Sequence, residues 1–98
     1  MQLKIHKSYR DLVAVCDTEL IGKYFEEGNF QLDLKESFYN GEEIDEEELI
    51  EILQDMKNED ATFNIVGKKS VSASIKAGII SEQAIKNISK IPYSLVLL

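Results

Sequence analysis

The chain reads as one α+β domain, a mixed β-sheet with an N-terminal hairpin and two main helices. Three observations predict this class. Short segments of alternating polar and apolar residues open the chain and recur at 30–34. One strongly signalled amphipathic helix occupies residues 45–57. A β-rich run at 62–66 then leads into a second helical stretch and further strand, the order of a βαβ unit. Ninety-eight residues form a single domain, 1–98. The expected sheet has about five or six strands.

Residues 2–7 alternate, with Leu3 and Ile5 on one face. Ser8 to Asp11 is a polar turn, and residues 12–16 form a second strand. The connection is too short for a crossover, so the two strands pair antiparallel. Asp17 or Thr18 caps a short helix running to Phe25. Phe30, Leu32 and Leu34 mark a third strand. Residues 37–43 read as a loop with Asn40-Gly41 at its tip, a turn dipeptide.

The next helix carries the clearest start signal. Asp45 is the N-cap, Glu48 sits three residues on, and Ile44 with Leu49 forms a hydrophobic staple. Leu49, Ile52, Leu53 and Met56 follow at helical spacing. Residues 62–66 are a fourth strand. Residues 68–77 are the second helix, stopped by Gly78. Its Ala73, Ser74 and Ala77 permit close packing on a sheet. Ser81 caps one turn, and 84–88 is an ambiguous apolar stretch. Pro92 precedes a final strand at 93–98, nearly all apolar and expected to be buried on both faces.

Net charge is −7, unevenly spread. Residues 36–60 carry eleven Asp/Glu and one Lys, whereas 61–98 carry five Lys and one Glu. No basic stripe interleaved with aromatics is present, which argues against a dedicated nucleic-acid binder and against sequence-specific DNA recognition. No apolar run approaches the ~18–20 residues of a membrane helix. A lone cysteine, Cys16, allows no intrachain disulfide. With no secretory signal, the expected compartment is the cytoplasm.

Several motifs invite chemistry. Val66-Gly67-Lys68-Lys69-Ser70 resembles part of a phosphate loop. It lacks the first glycine, with Thr62 in that place, and Lys69 stands where Ser or Thr is required. A helix starting there still offers amides and two ammonium groups, so Lys68 and Lys69 are anion-contact candidates. Cys16 beside Asp17, with Lys23 and Glu26 downstream, suggests a small pocket. His6 is the only partner available for a thiol nucleophile. Acids near Cys16 would raise its pKa, so a buried strand-end cysteine is the favoured reading. One Cys and one His do not make a four-ligand zinc site, and the acidic run lacks calcium-loop spacing. No metal or cofactor is expected. Phe38-Tyr39 is either an exposed binding anchor or, preferably, a turn pinned by Phe38 with Tyr39 half exposed.

Val13-Ala14-Val15-Cys16-Asp17, Glu19-Leu20-Ile21-Gly22-Lys23, Phe25-Glu26-Glu27-Gly28 and Phe38-Tyr39-Asn40-Gly41 together resemble a group of small archaeal proteins, domain-of-unknown-function family 424. The likeness extends to Leu3-Lys4-Ile5-His6, Val66-Gly67 and Pro92. It implies a cytosolic, single-domain archaeal protein and carries no established activity or defined catalytic residue.

Three functional readings remain. The preferred one is a non-enzymatic accessory domain that docks on a protein or ribonucleoprotein, the acidic helix facing a basic protein and the lysines facing RNA. The second is a small enzyme or ligand binder built on Cys16, Asp17, Lys23 and Glu26. The third is an oligomeric module in which the strand at 93–98 pairs across a two-fold axis.

Overall fold

The computed structural model describes residues 1–96. Strands β1 (Gln2–His6) and β2 (Leu12–Cys16) form the expected antiparallel hairpin, with Gln2 opposite Cys16 and His6 opposite Leu12. The chain then makes one 3₁₀ turn at Thr18–Leu20 and enters a second hairpin, β3 (Tyr24–Glu27) and β4 (Phe30–Asp33). The helix expected up to Phe25 is therefore a strand at its far end. Ile21 is already extended, at φ −62° and ψ 134°. The apolar Tyr24 and Phe25 suit a pleat as well as a helix, and pairing of Phe25 with Leu32 across Gly28-Asn29 decides for the pleat.

A single helical turn, α1 (Glu36–Tyr39), and a two-residue strand, β5 (Glu42–Glu43), replace the expected loop. Gly41 is needed for close approach: a Cβ there would collide with the Leu3 carbonyl oxygen on the adjacent strand. Helix α2 (Glu46–Asn58) starts as its sequence says. The Asp45 carboxylate accepts from the Glu48 amide at 2.9 Å. Ile44 and Leu49 are buried, and Leu49, Leu53 and Met56 form the inward stripe. Full burial of one such leucine is worth about 1.5–3 kcal/mol.

Strand β6 (Thr62–Val66) lies parallel to β2, and helix α3 (Lys68–Lys76) leaves from its end. A 3₁₀ turn at Glu82–Ala84 leads to β7 (Lys86–Ile88) and β8 (Ile91–Val96). The main sheet runs β5-β1-β2-β6-β8-β7. The segment around α3 is not a βαβ unit, because β8 returns antiparallel to β6. The parallel pair is β2 and β6, and α2 belongs to their crossover.

Each sheet face carries its own core. One packs Leu3, Val13, Val15, Phe63 and Ile65 under α2 and α3. The other packs Ala14, Cys16 and Val66 against Leu34 and Tyr39, under the small hairpin and α1. Sheets covered on both faces favour continuous apolar strands such as β2.

The last strand departs from expectation. Pro92 lies within β8 rather than before it, and its carbonyl accepts from the Gly67 amide at 2.8 Å. Leu95 is 56% exposed, so this strand is not buried on both faces. β8 runs between β6 and β7 and is not a free edge over Ile91–Tyr93. Leu97 and Leu98, part of the strand expected at 93–98, lie outside the described residues.

Candidate functional site

The carboxyl ends of two adjacent parallel strands, β2 and β6, are where open α/β sheets usually place ligands. Here β2 delivers Cys16 and Asp17, and β6 delivers Gly67 and the start of α3. Gly67 occupies the N-cap position and has no side chain to cap with. Asp17 does the capping from across the fold. Its carboxylate accepts from the Lys69 amide at 3.1 Å, the Ser70 amide at 2.8 Å and the Ser70 hydroxyl at 2.7 Å. Asp17 is 3% exposed, so these bonds replace the water it gave up. A negative charge at this helix end is also favoured by the dipole.

The anion expected at this helix start is thus the chain's own. Two of the amides counted as available to an outside ligand are taken by Asp17, while the side chains of Lys68 and Lys69 remain exposed. Those two ammonium groups line a cleft of about 190 Å³ with Asp17, Glu19, Leu20 and Pro92. Both lysines also line a larger cleft, shared with Met1, Glu46, Ser72 and Lys76.

Cys16 is fully buried and its thiol donates to the Asp17 carbonyl at 3.4 Å. Burial, reinforced by Asp17 and Glu19, pushes the thiol up to about 12, far from a nucleophile's range. His6 sits at the opposite end of the hairpin register. Its Nε2–H donates to the Phe38 carbonyl at 2.9 Å and its ring stacks on Phe38 at 4.6 Å. The two are not a catalytic pair. Of the four residues expected to form a pocket, Cys16 and Asp17 are buried at the end of β2, whereas Lys23, just before β3, and Glu26, within it, are exposed.

The aromatic pair inverts its expected roles. Tyr39 is 4% exposed, and Phe38 is the half-buried one. The Tyr39 hydroxyl bonds Asn64 Oδ1 at 2.9 Å, and burial raises it to about 12. The sequence does not single out Asn64, and it presents Gly67 and Ser70 as a partial phosphate loop rather than as the receiving side of the Asp17 cap. The available signal was a helix beginning after a glycine with no capping side chain, followed by serine at the third helical position. Such a helix needs a distant acceptor.

Among the described residues, no group of three His, Cys, Asp or Glu side chains is placed to hold a metal ion. No helix among them is long and apolar enough to cross a membrane.

The family described as "Protein of unknown function (DUF424)" matches over residues 6–98. The chain belongs to the DUF424 family. A crystal structure of an uncharacterized conserved protein from Methanopyrus kandleri, an archaeon, is similar to this DUF424 protein with a TM-score of 0.87. The two share 22% identity over 97% of this chain and 88% of the other. That likeness shows a shared fold. No curated protein matches the chain.

Proposed function

We propose that this DUF424 protein is a non-catalytic docking domain of the cytoplasm, binding a basic protein surface through the outer face of α2. The supporting observation is the state of that face. Glu47, Glu48, Glu51 and Asp55 are exposed, and among the described residues none of the four is in an ion pair. Glu46 is the member of the helix that is answered internally, by Lys76 at 2.6 Å. Carboxylates crowded on one rigid helix raise the local negative potential and steer a cationic partner. Two of the groups that suggested catalysis are spent inside the fold, Asp17 as the cap of α3 and Cys16 as a buried thiol.

The test compares the wild type with a Glu47→Lys, Glu51→Lys, Asp55→Lys variant as baits in native lysate at low salt. A partner held by the wild type and lost by the variant supports the reading. Equal capture by both baits, or no reproducible partner, overturns it. Ribonuclease treatment separates a protein partner, retained after digestion, from a ribonucleoprotein held through RNA.

A further inference from the structure

We propose that the cleft beside α3 binds a phosphate-bearing ligand through Lys68, Lys69 and Lys76. The cleft measures about 350 Å³ and is lined by Met1, Glu46, Lys68, Lys69, Ser72 and Lys76. Lys68, Ser72 and Lys76 are four residues apart on α3 and so stack along one helix face, with Lys69 flanking them. A hydroxyl and three ammonium groups are donors suited to phosphate oxygens. The one lining carboxylate, Glu46, is already bonded to Lys76. The lining therefore carries a surplus of positive charge inside an acidic protein.

The two helix starts differ in the charge of their first-turn side chains. The first turn of α2 holds Glu46, Glu47 and Glu48, which the positive end of the dipole favours. The first turn of α3 holds no acid and has Lys68 and Lys69 instead. A cation there is disfavoured by the positive end of the dipole. Neither ammonium is in an ion pair among the described residues. Asp17 answers the helix end itself, with its oxygens committed to the Lys69 and Ser70 amides and the Ser70 hydroxyl. The site is therefore built of side chains, not of free helix amides. Departures from a local rule are expected where a site serves function.

The cleft lining shares none of Glu47, Glu48, Glu51 and Asp55, so either reading stands or falls alone. The test is an NMR titration of the full chain, with inorganic pyrophosphate and a short single-stranded RNA added separately at about 0.15 M salt. Saturable shifts centred on residues 68–76 are expected, with a dissociation constant on the order of 1 mM or tighter. Saturation by pyrophosphate alone assigns a small phosphorylated molecule. Tighter saturation by RNA assigns a phosphodiester backbone. A Lys68→Ser, Lys69→Ser variant is expected to weaken binding roughly tenfold, while Lys86→Ser, Lys90→Ser changes it less than about twofold. The first variant should also melt slightly higher than wild type, since it removes cations from the helix start. No saturation, equal loss in both variants, shifts spread over every lysine, or a lower melting temperature in Lys68→Ser, Lys69→Ser overturns the proposal.

Discussion

At Gly67 the backbone takes φ 108°, and a Cβ would lie inside the Asp17 carboxylate. The two demands are coupled, because the same close approach lets Asp17 reach the Ser70 amide. Gly67→Ala is expected to destabilise the fold by about 3 kcal/mol or more, combining left-handed strain with lost cap bonds. Gly78→Ala, at φ 77° but with open space around it, should cost only about 1 kcal/mol. Urea unfolding of the two variants checks the difference, and equal losses would show that the Asp17 contact contributes little. Cys16 and Tyr39 make a second prediction. Burial raises the thiol from 9.0 and the phenol from 10.0, each to about 12. Between those values the unfolded chain releases protons that the folded chain retains, so stability falls as pH rises. Stability should be full below about pH 9 and decline toward pH 12, and Cys16→Ala should flatten the early part of that decline. Unfolding midpoints measured across this range test it; a flat profile would contradict the burial of both groups.

At the scale of elements, α2 was legible because everything that starts and orients it lies within its own fifteen or so residues. Asp45, the Ile44–Leu49 staple and the Leu49, Leu53, Met56 stripe act locally. The β1–β2 hairpin was legible for the same reason. The small hairpin was not, because Tyr24 and Phe25 satisfy either periodicity and only pairing with β4 selects the strand. The β7–β8 turn is also set by distant contacts. Ser89 and Lys90 have φ of 49° and 67°, without the glycine or asparagine such a turn prefers. Two bonds from the small hairpin hold it: Ser89 N donates to Glu27 Oε1 at 2.9 Å, and its hydroxyl donates to the Glu26 carbonyl at 2.8 Å. Relieving the strain at the exposed neighbour, Lys90→Gly, should stabilise the protein by about 0.5–1 kcal/mol. Thermal unfolding tests this, and a loss of stability would mean that the Lys90 side chain contributes more than its backbone strain costs.

Over the whole molecule, charge is divided between neighbouring helices rather than opposite ends. α2 and α3 lie side by side, joined by the Lys76–Glu46 pair and by Lys57, which donates to the Gly78 carbonyl at 3.1 Å. The lysines of the last third are thus only partly answered by the acidic segment, and two surfaces of opposite sign remain. Because residues 36–60 carry eleven acids against one lysine, their mutual repulsion should weaken the fold at low ionic strength. Raising salt from about 0.02 M to about 0.3 M should increase the melting temperature by a few degrees, roughly 0.5–1 kcal/mol of stability. A decrease would show that attractive pairs dominate.

By itself the amino-acid sequence determined the α+β class, the single domain, the two main helices and the segregation of charge. All of these rest on periodicity, capping residues and composition, which are written within short stretches of chain, whereas the family was carried by the resemblance of its motifs. The tertiary structure alone decided the fate of the reactive groups. Whether Asp17 holds a ligand or caps α3 depends on a crossing with Ser70, fifty-three residues away. Which of Phe38 and Tyr39, both in α1, is buried depends on Asn64 in β6. Such choices are made by the competition of distant partners for one buried polar group, and no local pattern encodes them.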